Sequence, residues 1–232
     1  MKYSGESTLV DNALSRNFVS PSGSTHSDRF YAQFLKRPVD LVVAVLALPI
    51  VAPVILVLWL LARRDGGPGF FRQERVGRNG RTFACWKMRT MVVDAERVLK
   101  ELCERDPACA EEWNRNQKLG RDPRITRIGA LMRATSLDEL PQIWNVLRGD
   151  MSLVGPRPFM VSQDALYRAG GGDAYYRMRP GITGPWQISG RGGTTFVERV
   201  QFDSAYWKSM SLGGDLALMF RTVTVVFRGT GT

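Results

Sequence analysis

Apolar positions are unevenly spread along the chain. Residues 1 to about 28 are rich in Ser, Asn, Gly and Thr and lack hydrophobic periodicity, which predicts a disordered cytosolic tail. From Leu41 to Ala62 no charged residue occurs, with Lys36 and Arg37 before the block and Arg63 and Arg64 after it. A helix over this block would span about 33 Å, enough for a bilayer core. Two readings follow: a straight transmembrane helix, or a helix-break-helix hairpin that enters one leaflet and returns. Pro49 and Pro53 each remove a backbone donor and crowd the preceding turn, and basic residues at both ends give the positive-inside rule no preferred orientation. Pro-kinked spanning helices are common, so the pattern alone leaves both readings open.

Downstream, the Asp65-Gly66-Gly67-Pro68-Gly69 cluster is a turn signal. A β-prone stretch from Phe70 to Arg75, a turn over Gly77 to Gly80 and a partner from Thr82 to Met88 predict a hairpin. Val92 to Cys103 and Ala108 to Lys118 read as amphipathic helices separated by Pro107. Thr126 is placed to cap a helix running to about Ala134. Another helix is expected from Ser136–Glu139 to Gly149, and a last one near Leu212 to Val225. Gly155 to Pro158 and Gly181 to Gly193 read as irregular, and Gly170 to Gly172 and Gly190 to Gly193 as flexible loops. The fold class is α+β, predominantly helical, with short strands.

The formal net charge of +10 calls for an anionic partner without naming it: nucleic acid, anionic headgroups and nucleotide diphosphates all qualify. Cys85, Cys103 and Cys109 form no CxxC pair, and the only histidine is His26 in the polar segment. These features argue against a zinc site and suit free thiols in a reducing compartment. No signal peptide is visible, since the first apolar run starts late. No recognised nucleic-acid module is present either. The tryptophans fit ordinary packing better than an interfacial belt.

Candidate chemistry centres on the adjacent carboxylates Asp138 and Glu139. If Ser136 is an N-cap, Glu139 completes a capping box. If Asp138 is the cap, Pro141 falls harmlessly in the first turn. Both place Asp138 in the field of a helix N-terminus, which favours its anion, and capping alone would account for the pair. The cationic residues nearby, Lys118, Arg124, Arg133, Arg148 and Arg157, point further. Phosphoryl transfer needs carboxylates to hold a divalent cation and Arg or Lys to clamp phosphate oxygens.

The run Thr135 to Pro158, TSLDELPQIWNVLRGDMSLVGPRP, resembles the signature of the bacterial sugar transferase family, the monotopic polyprenyl-phosphate phosphoglycosyl transferases. Members start exopolysaccharide, O-antigen or capsule synthesis. Further segments resemble family motifs in the same order: Lys36-Arg37-Pro38-Val39-Asp40, Phe71 to Gly77, Lys87 to Met91, Asp122-Pro123-Arg124, Pro180 to Gln187 and Ser189-Gly190-Arg191. The resemblance spans about residues 36 to 225.

It implies a ping-pong reaction. Asp138 is the expected nucleophile, attacking the sugar-proximal phosphorus of a UDP-sugar and releasing UMP. Undecaprenyl phosphate then takes the phosphosugar from the aspartate. Glu139 is the expected ligand of Mg2+. Arg133 is expected at the lipid phosphate and Arg157 at the nucleotide-sugar. Lys87, Arg89, Lys118, Arg124, Gln187 and Arg191 complete the expected substrate-binding set. The Gly184-Pro185-Trp186-Gln187 stretch resembles the branch that transfers galactose or glucose.

The resemblance also favours the hairpin, broken in relatives near a Ser-Pro pair where this chain has Ala52-Pro53. The division it implies is a tail over 1–35, a re-entrant hairpin over 36–64 and a catalytic domain over 65–232. A longer N-terminal multi-span domain of some relatives is expected to be missing. The expected location is the cytoplasmic face of the bacterial inner membrane. Expected partners are UDP-sugar, undecaprenyl phosphate and membrane lipids, with a homodimer as a further option and no nucleic acid. Three other function classes compete: a non-catalytic scaffold on anionic lipid, a nucleic-acid binder, and a membrane phosphatase or nucleotide-sugar hydrolase with water as acceptor.

Overall fold

The computed structural model describes residues 26–116, 119–189 and 194–227. Helix α1 (His26–Phe30) continues through a π-helical turn (Tyr31–Leu35) into α2 (Lys36–Ala62). The boundary expected at residue 35 therefore moves toward the N-terminus. Residues 26–35 are helical, and Tyr31 is buried beside Val154, Met178 and Tyr206. After α2 come the hairpin β1 (Phe70–Val76) and β2 (Thr82–Met88), then α3 (Ala95–Arg105), α4 (Pro107–Asn116), α5 (Arg127–Ala134), a 3-10 turn (Leu137–Glu139) and α6 (Gln142–Arg148). Strand β3 (Ser152–Val154), α7 (Asp164–Ala169), α8 (Asp173–Arg177), β4 (Gly181–Thr183), α9 (Pro185–Ser189), α10 (Arg199–Ser209) and α11 (Leu212–Phe227) complete the described chain.

The sheets are minimal. β1 and β2 pair antiparallel with Phe70 opposite Met88 and Val76 opposite Thr82. β3 and β4 pair in parallel, Ser152 with Gly181 and Val154 with Thr183. Gly155 to Pro158 is irregular as expected, but the irregular stretch expected from Gly181 is corrected: β4 and α9 occupy Gly181–Thr183 and Pro185–Ser189, and Gly190 to Gly193 lie outside the described residues. The expected helix from Ser136 is also corrected. Ser136 takes a left-handed conformation (φ 56°), Leu137–Glu139 form a 3-10 turn, and α6 starts only after Pro141. Neither Ser136 nor Pro141 caps through a side chain, so no capping box forms. The Thr126 cap does form: its hydroxyl accepts from the Gly129 amide at 2.9 Å. Gly129 has a second role, since a Cβ there would collide with the Thr90 carbonyl. Only glycine lets α5 approach the strand-end segment that closely.

α2 runs helically through Pro49 and Pro53, so the expected helix-break-helix is not present as an interruption. The two prolines stand one turn apart on the exposed face. Their missing donors therefore fall on the outer side, where they permit curvature toward the domain instead of ending the helix. The inner face is packed along its whole length. Asp40 accepts from the Ser152 hydroxyl at 2.7 Å and the Leu153 amide at 3.2 Å. Arg37 donates to the Val146 and Leu147 carbonyls at the end of α6. Ala44 is buried with Cys85, Ile143, Val146 and Met151, and Leu58 with Met88 and Met132. At the far end Arg89 donates to the Ala62 carbonyl at 2.5 Å. The outer face exposes Val42, Val45, Leu46, Ile50, Val54, Val57 and Leu60. By length and composition the helical segment Ser27–Asp65 qualifies as a candidate membrane span.

Candidate active site

Four chain segments build the site. On the hairpin, side chains alternate between faces, so Arg75, Cys85 and Lys87 share one face. The 3-10 turn after α5 supplies Asp138 and Glu139. α6 is locked to β2 by Asn145, which accepts from the Trp86 amide at 3.0 Å and donates to the Ala84 carbonyl at 2.8 Å. That pair fixes the turn preceding α6 opposite Lys87. The strap after β3 supplies Arg157. Together Arg75, Cys85, Lys87, Glu139, Gln142, Arg157 and Pro158 line a small cleft.

The two carboxylates have different surroundings. Glu139 is gripped by Lys87 Nζ at 2.9 Å and by Arg157 Nη2 at 2.9 Å, both on Oε1. Burial opposes its charge, but the charges and hydrogen bonds of Arg157 and Lys87 prevail and hold its carboxyl down at about 2. Among the described residues Asp138 makes no side-chain hydrogen bond, and Lys87 stands 3.8 Å away. Burial raises the Asp138 carboxyl above its ordinary value, Glu139 adds to this, and Lys87, Arg133 and Arg157 oppose it. The expectation that a helix start favours the Asp138 anion is thus corrected: Asp138 lies in a half-buried 3-10 turn, and desolvation is its largest influence. The pair is split into a locked anion and an unencumbered carboxylate.

Arg133 is held by the Thr90 hydroxyl at 2.9 Å, close enough for its charge to act on Asp138. Of the expected substrate ligands among the described residues, Lys87 and Arg157 line the cleft, while Arg89, Arg124, Arg133 and Gln187 do not; Asp138 stands beside the lining residue Glu139 without being part of it. Arg89 spends its donors on Asp65 and on the Pro68, Met91 and Ala62 carbonyls, clamping the end of α2. Arg124 pairs with Asp122 at 2.7 Å and lies over the Trp113 ring. The Gln187 carboxamide is buried with no hydrogen-bond partner among the described residues. Lys118 and Arg191 fall outside the described residues. Sequence reasoning gave no role to Arg75, Gln142 or Asn145. The strand alternation shared by Arg75, Cys85 and Lys87 was the available signal for the first.

The donor set fits magnesium. Asp138 and Glu139 offer hard carboxylate oxygens. The one thiol in the cleft, Cys85, is kept protonated, since burial pushes it up to about 11. No group of three or more His, Cys, Asp or Glu side chains is arranged to hold a metal ion among the described residues. Mg2+ typically uses one or two carboxylates beside substrate phosphates.

The sequence model for "Bacterial sugar transferase" matches residues 31–229. The UDP-galactose-lipid carrier transferase of Erwinia amylovora is 48% identical over 213 residues, covering 92% of this chain and 44% of that protein. The undecaprenyl-phosphate galactose phosphotransferase of Salmonella typhimurium is 48% identical over 200 residues, 86% of this chain and 42% of that protein. The exopolysaccharide production protein ExoY of Sinorhizobium fredii is 44% identical over 198 residues, 85% of this chain and 87% of that protein. The chain thus spans less than half of the first two relatives and most of the third. The family match covers the membrane-type helix, the cleft and α11 together, and the chain belongs to the bacterial sugar transferase family.

Proposed function

We propose that this chain transfers hexose-1-phosphate, galactose or glucose, from a UDP-sugar to undecaprenyl phosphate and releases UMP. The observation that carries this reading is the split carboxylate pair: Glu139 locked between Lys87 and Arg157, and Asp138 beside it, 3.8 Å from Lys87 and without a side-chain hydrogen bond among the described residues. Two relatives carry names for galactose-lipid transfer. A Caulobacter vibrioides relative, 41% identical over 196 residues, is named for UDP-glucose:undecaprenyl-phosphate glucose-1-phosphate transfer.

In the first step an Asp138 carboxylate oxygen attacks the sugar-proximal phosphorus. The bond from that phosphorus to the bridging oxygen breaks, and UMP leaves with the electron pair. In the second step a phosphate oxygen of undecaprenyl phosphate attacks the same phosphorus, and the Asp138 carboxylate departs. The acceptor is already an anion, so no general base is needed for it. Lys87, Arg157 and Arg75 neutralise developing phosphate charge. Mg2+, held by Asp138 and Glu139, would supply further charge neutralisation on the diphosphate. The test is lipid-dependent UMP release by the full chain across a panel of UDP-sugars. Release without undecaprenyl phosphate at the same steady rate would instead support a hydrolase.

Asp138 must be ionised to attack, and its carboxyl is raised. The acid limb of kcat/KM is therefore expected above the ordinary aspartate value of 3.8, with activity rising as pH rises through it. Lys87→Met removes the strongest opposing charge and should move that limb to higher pH. A limb that stays in place in the variant would separate Asp138 from the rate.

The same reading places the chain on the cytoplasmic face. Both ends of α2 are tied to one domain, through Asp40 and Arg37 at the start and Ala62 at the end. The helix is thereby read as entering and leaving on one side. Cysteines introduced at Gln33 and at Arg64 should both label from the cytoplasmic side only. Periplasmic labelling at Gln33 would contradict the same-side topology.

A further inference from the structure

Arg199, at the start of α10, is 3% exposed. Its guanidinium sits among four aromatic rings, 5.2 Å from the Trp186 centroid, 5.3 Å from Phe196, 5.5 Å from Phe159 and 5.7 Å from Tyr167. Among the described residues its one hydrogen bond runs from Nη2 to the backbone carbonyl of Arg157, and Nε has no acceptor within hydrogen-bond distance. The nearest carboxylate oxygen, Asp203 Oδ2 at 3.8 Å, already accepts from the Tyr167 hydroxyl at 2.5 Å.

A buried guanidinium with so few acceptors costs stability, and the ring faces offset only part of it. An apolar side chain would fill the cage but leave Asp203, 1% exposed, without its counter-charge. What an apolar side chain could not supply is the directed bond to Arg157, whose side chain grips Glu139 at 2.9 Å. The same strap is pinned from its other side, where the Val76 amide donates to the Phe159 carbonyl at 3.0 Å. Arg157 is thus presented to the cleft by a segment fixed between β1 and Arg199.

We propose that Arg199 is a positioning residue: it holds the 156–159 strap so that Arg157 meets Glu139 and the substrate phosphates. This rests on the transferase reading of the cleft. Arg199→Met leaves buried Asp203 without its counter-charge and should melt lower, while kcat falls roughly 10- to 100-fold, the range for a catalytic group misplaced by about 1 Å. Arg199→Lys keeps a cation beside Asp203 and should melt nearer the wild type, with kcat still reduced.

The test is a double-mutant cycle on the full chain in detergent, read as UMP release with undecaprenyl phosphate. Arg199→Met should cost little, under about 2-fold, in an Arg157→Gln background, because the two act through one group. Equal losses in both backgrounds would overturn the proposal. If the Met variant does not fold, Arg199→Lys, which keeps a cation in the cage, carries the same cycle. Amide hydrogen exchange reports without reference to catalysis: the peptide over residues 155–160 should exchange at least about tenfold faster in the variant, with β2 and α6 unchanged. Unchanged exchange there overturns the positioning role even if transfer stands. Wild-type chain that releases no UMP from any UDP-sugar overturns the transferase reading, and the exchange result then decides the strap on its own.

Discussion

Asp138→Asn is expected to reduce turnover by about 10⁴-fold or more while leaving the fold intact. The variant keeps the size of the side chain and removes its nucleophilic oxygen. Stability should move the other way. Because the Asp138 carboxyl is raised in the fold, its ionised form costs folding stability at pH values above 3.8, the cost growing up to the raised folded value and staying constant above it. Asn carries no such cost, so the variant should melt at the same temperature or slightly higher near neutral pH. Intact-protein mass spectrometry adds a second reading. Wild type given UDP-sugar without acceptor should gain the mass of one phosphohexose, and the Asn variant should gain none. A variant that turns over at the wild-type rate would remove Asp138 from the mechanism. Capping offers no alternative account of its role, because Ser136 and Pro141 flank the turn without any side-chain cap.

Glu139 should behave differently when altered. Its carboxyl is depressed to about 2 against an ordinary 4.5, so it stabilises the fold above pH 4.5 and loses that contribution as pH falls through about 2. Glu139→Gln leaves Lys87 and Arg157 facing a neutral amide in a cleft where both were paired. A destabilisation of roughly 1–3 kcal/mol is expected near neutral pH, with activity down about 10²- to 10³-fold. Chelation of divalent cations should silence the wild type at unchanged melting temperature, and magnesium should restore it. Restoration by zinc alone would contradict a site built from carboxylate oxygens beside a protonated thiol. The opposite stability changes at adjacent positions separate the two roles more cleanly than rates alone.

Local patterns in the sequence carried much of the fold. The hairpin was legible because β-prone residues flank a glycine-bounded turn, and Thr126 because a hydroxyl before an apolar-periodic run is a cap. The site was legible as an ordered set of motifs, yet its physics was not. Burial of Asp138 depends on β2 and the strap after β3, which no window around residue 138 contains. Pro141 delayed the helix start and exchanged a helix-terminal field for a desolvated turn. β3 and β4 are three residues each, too short to show periodicity. Arg199 reaches Arg157 across 42 positions of sequence, with ring partners drawn from the strap, α7, α9 and the segment before α10. The uncharged block was legible as membrane-type, but its packing on one domain along its full inner face depends on small residues such as Ala44 meeting Val146 and Met151.

The most direct measurement follows the phosphorus. UDP-hexose labelled with ³²P on the sugar-proximal phosphate is incubated with the full chain, magnesium and undecaprenyl phosphate. The label should enter the organic-extractable lipid in step with UMP release, because the bond broken lies between the two phosphorus atoms of the diphosphate. Label remaining in UDP would mean transfer of the sugar alone, and label in water-soluble sugar phosphate would mean hydrolysis. Either result would contradict phosphosugar transfer by this chain.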